Sequence, residues 1–122
     1  MCRDYKLVET DLLKNNHFPI MAFFNAIPNV DFLDVIRQFS FGIGGGFNDA
    51  VCTFPGDLDS DETSFDGIMF SLRDEAIIVD NETFLYYLKK ACLVFVEDFP
   101  NEKSLIDTFL KKSANNLNND WT

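Results

Sequence analysis

The sequence predicts an α+β domain with N-terminal helices, a small mainly antiparallel β-sheet, and two C-terminal helices packed on it. Three observations carry this prediction. Apolar residues recur at intervals of three and four before residue 40 and again from Phe84 onward, the spacing that lines one face of a helix. Short β-prone runs lie between those regions, set off by Gly, Pro and acidic residues, and two of the runs are only three residues apart. The pattern does not support parallel β-α-β winding.

Taken in order, Phe18 to Ile27 is densely apolar, with Ile20, Met21, Phe23, Phe24 and Ile27 spaced as on a short helix. Pro28 interrupts it. A second helix follows, with Asn29 as its expected N-cap, Asp31 in the favourable first turn, and Phe32, Leu33, Val35, Ile36 and Phe39 on its apolar face. Phe41 to Phe47 holds Gly42, Gly44, Gly45 and Gly46, too many glycines for a regular helix, and reads as a loop or an irregular strand. Ala50 to Phe54 reads as a strand halted by Pro55, and Gly56 to Ser64 as an acidic surface loop.

Gly67 to Leu72 and Ala76 to Val79 form a predicted hairpin around Arg73, Asp74 and Glu75. Asp80 is the expected N-cap of a long helix whose stripe is Phe84, Leu85, Leu88, Ala91, Cys92, Phe95, Val96 and Phe99. Pro100 ends that helix and suits the first turn of the next. The last helix has an apolar face of Leu105, Ile106, Phe109 and Leu110, with Lys111 and Lys112 at its negative end. The Asn-rich tail 113–122 is expected to fray.

The chain of 122 residues fits one domain, 1–122, long enough to bury a core. An apolar fraction of 47% with 14 Phe offsets the entropy of ordering and argues against disorder. That many Phe exceeds the obvious need of one small core, so some are candidates for the apolar centre of an interface. No apolar run reaches the length of a membrane span, and Met1 to Asp11 lacks the basic start and apolar middle of a signal peptide. A cytoplasmic location is therefore expected. Cys2, Cys52 and Cys92 are an odd set without C-x-x-C spacing, so reduced buried thiols are expected rather than disulfides or a zinc knuckle.

The formal charge of −10 is concentrated in one segment. Asp49 to Glu82 holds ten acids against Arg73 alone, a net −9, while the flanks together contribute −1. Such a field repels nucleic acid and anionic membranes and speeds encounter with cationic partners.

Motifs for chemistry are incomplete. Asp57-Leu58-Asp59-Ser60-Asp61 opens like a calcium loop, but Glu62 stands where glycine must turn and Ile68 where a bidentate Glu must close the shell. The run Gly42-Ile43-Gly44-Gly45-Gly46 matches neither a dinucleotide fingerprint nor a phosphate loop and has no lysine beside it. His17 is the only histidine and reads as surface or half-buried packing, although a pairing with Cys52 or Cys92 stays open. Acid pairs such as Asp57 with Asp59 or Asp74 with Glu75 lack the apolar pocket that raises one carboxyl's pKa. No catalytic residue, metal ligand or cofactor site is assigned, and a small-molecule ligand is not expected.

A set of ordered elements carries a resemblance. They are Gly42-Ile43-Gly44-Gly45-Gly46-Phe47-Asn48-Asp49-Ala50-Val51-Cys52-Thr53-Phe54-Pro55, then Phe65-Asp66-Gly67-Ile68-Met69-Phe70, then Phe84-Leu85-Tyr86-Tyr87-Leu88 with Ala91, Cys92 and Pro100. Over roughly Ile20 to Lys112 the chain resembles the immunity proteins of bacterial contact-dependent growth inhibition systems, in particular those paired with ribonuclease toxins. The resemblance implies a cytoplasmic protein that binds the C-terminal toxin domain of a large exported effector and blocks its nuclease site, with no enzymatic activity and no cofactor. Such families diversify their toxin-facing residues, so no contact position carries over.

The charge reading agrees with that implication. A ribonuclease needs a basic cleft for phosphates, and a carboxylate-rich surface complements it. Asp57, Asp59, Asp61 and Glu62 are the candidates for phosphate subsites, with Asp66, Asp74 and Glu75 pairing nearby Lys or Arg. Two other classes stay open from the residues alone: an acidic adaptor or regulator of another basic protein, and a small enzyme using His17, a cysteine or paired acids.

Overall fold

The computed structural model describes residues 7–47, 49–54 and 67–117. Helices α1 (Phe18–Ala26) and α2 (Asn29–Phe39) precede strands β1 (Gly45–Phe47), β2 (Ala50–Thr53), β3 (Ile68–Leu72) and β4 (Glu75–Val79), and helices α3 (Asn81–Asp98) and α4 (Lys103–Leu117) follow. The strands form one antiparallel sheet in chain order. The class is α+β, as the sequence predicts.

Local chemistry sets the boundaries. The short 3-10 turn Asn15–His17 leads into α1, whose Pro19 lies in the first turn, where a missing N–H leaves no helical bond unmade. Pro28 ends α1 by forcing its predecessor out of the helical region, and Ile27 has ψ 118°. Pro28, not Asn29, is the boundary residue of α2: its own backbone is extended at ψ 147°, and Asn29 is already helical. The predicted hairpin is β3–β4, the second of two in the sheet, and its turn is shorter than expected. Glu75 pairs with Leu72 as the first residue of β4, leaving Arg73 and Asp74 as the two-residue connection. At the start of α3, Asp80 Oδ1 accepts the Thr83 N–H at 2.7 Å, the predicted cap.

The last helix departs most from expectation. Pro100 opens a 3-10 turn, Pro100–Glu102, rather than α4 itself. Leu105, expected inside, is half exposed, while Ile106 is buried. The helix continues past Lys112 to Leu117 because Ser113 and Ala114 are buried, so the segment from Ser113 to Leu117 is not a frayed tail. Lys111 and Lys112 therefore lie within the helix rather than at its end, and the Lys112 ammonium sits 3.8 Å from the centre of the Phe41 ring.

Residue alternation gives the sheet two faces. Ala50, Cys52, Ile68, Phe70 and Val79 point into the core, whereas Val51, Ala76 and Ile78 are exposed on the other side. α1 lies along the covered face: its Phe23 ring is 5.7 Å from Phe70 in the sheet and 6.0 Å from Phe39 on α2. α3 reaches the same face through Phe84, 6.0 Å from Phe70 and 5.4 Å from Phe54. Phe32 and Phe95 stack at 4.5 Å to join α2 to α3, and α4 closes the outer side against both helices. The surplus of Phe is thus mostly core. Eight of the rings are buried, and Phe41 is the most exposed of those described. Truncating one of the buried rings to Ala costs about 3–5 kcal/mol.

Candidate functional site

Of the acids nominated from the sequence, Asp57, Asp59, Asp61, Glu62 and Asp66 lie outside the described residues. Asp74 and Glu75 are exposed at the tip of the second hairpin. The register brings a further acid beside them. Phe47 pairs with Ala50, Ala50 with Leu72, and Leu72 with Glu75, so both hairpins turn at the same end of the sheet. Arg73 Nε donates to Asp49 Oδ2 at 3.2 Å, and the Arg73 N–H donates to the Asp49 carbonyl at 3.3 Å. The single base of the acidic segment is therefore occupied by an acid from the neighbouring turn, and Asp74 and Glu75 remain on the surface beside that pair.

Topology divides one acidic stretch of sequence between two ends of the sheet. Phe54 and Gly67 lie at the other end, Gly67 beside Val79, and Asp80 and Glu82 follow from there. β3, five residues long, separates this end from Asp74 and Glu75 by about 15 Å at roughly 3.3 Å per residue. Gly67 is fixed by geometry: its φ is 103°, and a Cβ there would lie 2.2 Å from the Val79 carbonyl oxygen. Asp80 is held below the ordinary carboxylate range by its bonds from Thr83, and so stays charged well into acid.

The only histidine is not at this surface. His17 is buried, its Nδ1 2.8 Å from the Tyr87 hydroxyl, which accepts the Leu13 N–H at 2.8 Å. Desolvation lowers the His17 pKa, Lys14 adds to the effect, and Asp80 opposes it. The neighbouring Tyr86 hydroxyl donates to the Asp11 carbonyl at 3.1 Å, and the Asn25 side chain exchanges two hydrogen bonds with the Leu7 backbone. His17 thus belongs to a clasp that holds the N-terminal segment onto α1 and α3.

Cys52 and Cys92 are buried thiols, as expected, and burial pushes the Cys92 pKa far up, with the Asp107 charge adding to it. A thiol held protonated is a poor nucleophile. Among the described residues no group of three or more His, Cys, Asp or Glu is arranged to hold a metal. No single described helix is long and apolar enough to cross a membrane.

Two clefts remain. The glycine segment Gly44–Gly46 borders one of them with Asp31 and Asp34, two negative groups where a phosphate site would need positive ones. The other, about 230 Å³, lies between α3 and α4, lined by Leu93, Val96, Ile106 and Leu110 with Lys89 and Lys103 at its rim.

No curated protein matches the chain. A family model described as CDI immunity protein matches residues 9–110, from the first 3-10 turn to within α4.

Proposed function

The chain belongs to the CDI immunity protein family, whose members neutralise cognate toxins, and from that premise we propose that its partner is a basic ribonuclease domain whose cleft it covers with acidic surface. The observation that carries this reading is the concentration of ten acids and one base between Asp49 and Glu82. A ribonuclease must hold a polyanion, so its cleft presents Lys and Arg, and carboxylates facing that cleft compete for the same cations. Long-range attraction sets the rate and orientation of encounter, and a few desolvated anchors set the lifetime of the complex.

The ion pair of Arg73 with Asp49 is consistent with this reading, because it engages the one local base at the cost of a single acid and leaves Asp74 and Glu75 beside it. The protein acts by binding rather than catalysis, in the cytoplasm where such a toxin reaches its RNA. The direct test is to purify the toxin domain of the effector encoded beside this chain and measure complex formation and RNA cleavage together. Stoichiometric complex with loss of cleavage is the expected result. Full cleavage with no complex at micromolar protein removes the reading, and a complex whose toxin degrades DNA or another substrate removes the ribonuclease assignment.

A further inference from the structure

We propose that β4 is the docking edge, onto which an extended segment of the toxin domain adds as a fifth strand, apolar in its middle and carrying Lys or Arg toward both ends. The inference rests on the reading above and names the surface that performs it.

β4 is a terminal strand of the sheet, paired with β3 on one side only. Its two-residue turn makes Leu72 and Glu75 a hydrogen-bonded pair, and the antiparallel alternation then makes Phe70 with Ile77 and Ile68 with Val79 bonded pairs as well. Ala76 and Ile78 therefore aim their N–H and C=O groups away from β3, and no described backbone group bonds to them. Both residues are exposed. Solvent-facing edges are usually blunted by Lys, Pro, a bulge or extreme shortness. β4 reads Glu-Ala-Ile-Ile-Val over five residues and pairs without a bulge.

The side chains next to this edge suit an apolar strand. Thr53, Met69 and Ile78 form one cross-strand row on the exposed face, and Val51, Ser71 and Ala76 form the next. Ile78 is 49% exposed and Val51 40%. A residue of an added strand beside Ile78 would extend the first row and cover it.

Charge decides between a foreign strand and a second copy of this chain. In the antiparallel self-pairing that overlaps all of β4, Ile77 would face its own copy, Asp74 would face Asp80, and Glu82 would lie just beyond. Like charges placed opposite each other destabilise a strand pair. A strand with cations toward both ends meets Asp74 and Glu75 at one end and Asp80 and Glu82 at the other.

The test uses two variants of the full chain against the toxin domain encoded beside it, with binding measured by calorimetry and the free proteins by thermal melting and sedimentation. Ala76→Pro removes an outward N–H at an edge position where proline is tolerated, and Ile78→Lys alters only an exposed side chain. Both are expected to weaken binding by about tenfold or more while the parent binds tightly. If Ala76→Pro does not fold, Ile78→Lys decides alone. Parent-like binding by the folded variants overturns the docking edge and leaves the toxin-binding function standing, as does loss of binding by Leu93→Lys on the α3–α4 cleft with none at β4. A parent that sediments as a dimer and a monomeric Ala76→Pro overturn it in favour of self-pairing. A parent that does not bind the toxin overturns both readings together.

Discussion

The Tyr87 hydroxyl joins two parts of the chain by standing 2.8 Å from His17 Nδ1 while accepting the Leu13 N–H. With His17 held neutral by burial, all three groups are satisfied when the hydroxyl proton points at Nδ1 and the imidazole proton resides on Nε2, a tautomer assigned from the hydrogen-bond network.

The clasp therefore favours a neutral histidine. Because the folded pKa of His17 lies below its unfolded value near 6.5, the unfolded chain takes up the proton first as pH falls. The clasp's contribution is complete above that value and is lost as pH drops from about 6.5 toward the folded pKa. Thermal melts of the parent and His17→Asn between pH 8 and pH 5 check this: the parent's advantage shrinks toward acid. A constant gap would show that the imidazole has the same pKa folded and unfolded.

Tyr87→Phe keeps the ring and removes the hydroxyl, leaving the Leu13 N–H and His17 Nδ1 without that partner. The expected cost is about 1–3 kcal/mol in a urea melt. The same substitution at Tyr86, half-buried and bonded only to the Asp11 carbonyl, costs about 1 kcal/mol or less.

Arg73 holds a positive φ of 56°, the left-handed region that favours glycine, in a turn where its ion pair with Asp49 is largely exposed. The pair is worth about 0–1 kcal/mol and the backbone conformation costs about as much. Arg73→Gly should therefore leave the melting temperature unchanged or slightly raised, while making the acidic segment one charge more negative. Association with a basic toxin then becomes faster at low salt, a rise that stopped-flow measurement resolves.

Charge reversal separates the two ends of the sheet. Asp74→Lys with Glu75→Lys changes one end, and reversal of Asp57, Asp59, Asp61 and Glu62 changes the connection that departs from the other. Each variant should associate more slowly than the parent at low ionic strength, and the differences should fade near 1 M salt, where screening acts within about 3 Å. Equal rates at low salt for either variant exclude that group from the approach of the toxin.

Local signals were well written in the sequence. Asp80 announced a cap and α3 began behind it; Pro28 and Pro100 marked breaks that the backbone honours. What the sequence obscured was set by distant contacts. The Asn-rich stretch after Ser113 has poor helix propensity, yet α4 continues because Ser113 and Ala114 are buried. The place of α1 between sheet and helices was foreshadowed by apolar residues around most of its circumference, a pattern that belongs to a central helix. Four helices competed for the sheet's inner face, and the ring contacts of Phe23 and Phe84 with Phe70 show α1 and α3 meeting at its centre.

The candidate surface was legible in composition and not in arrangement. The density of acids from Asp49 to Glu82 is visible in the chain, but Glu75 and Asp80 stand at opposite ends of the sheet because β4 runs between them. The ion pair of Arg73 with Asp49 spans 24 positions and had no local mark. The exposed β4 edge escaped notice for a related reason: a run of Glu-Ala-Ile-Ile-Val looks like any interior strand until its neighbours are known.

The alternation along β4 divides its residues between two tasks. Ile77 and Val79 answer to the interior, whereas Ala76 and Ile78 answer to whatever lies outside. Neighbouring positions on one strand thus meet separate demands, so exchanges at Ala76 and Ile78 can remake the outer surface while Ile77 and Val79 keep the interior intact.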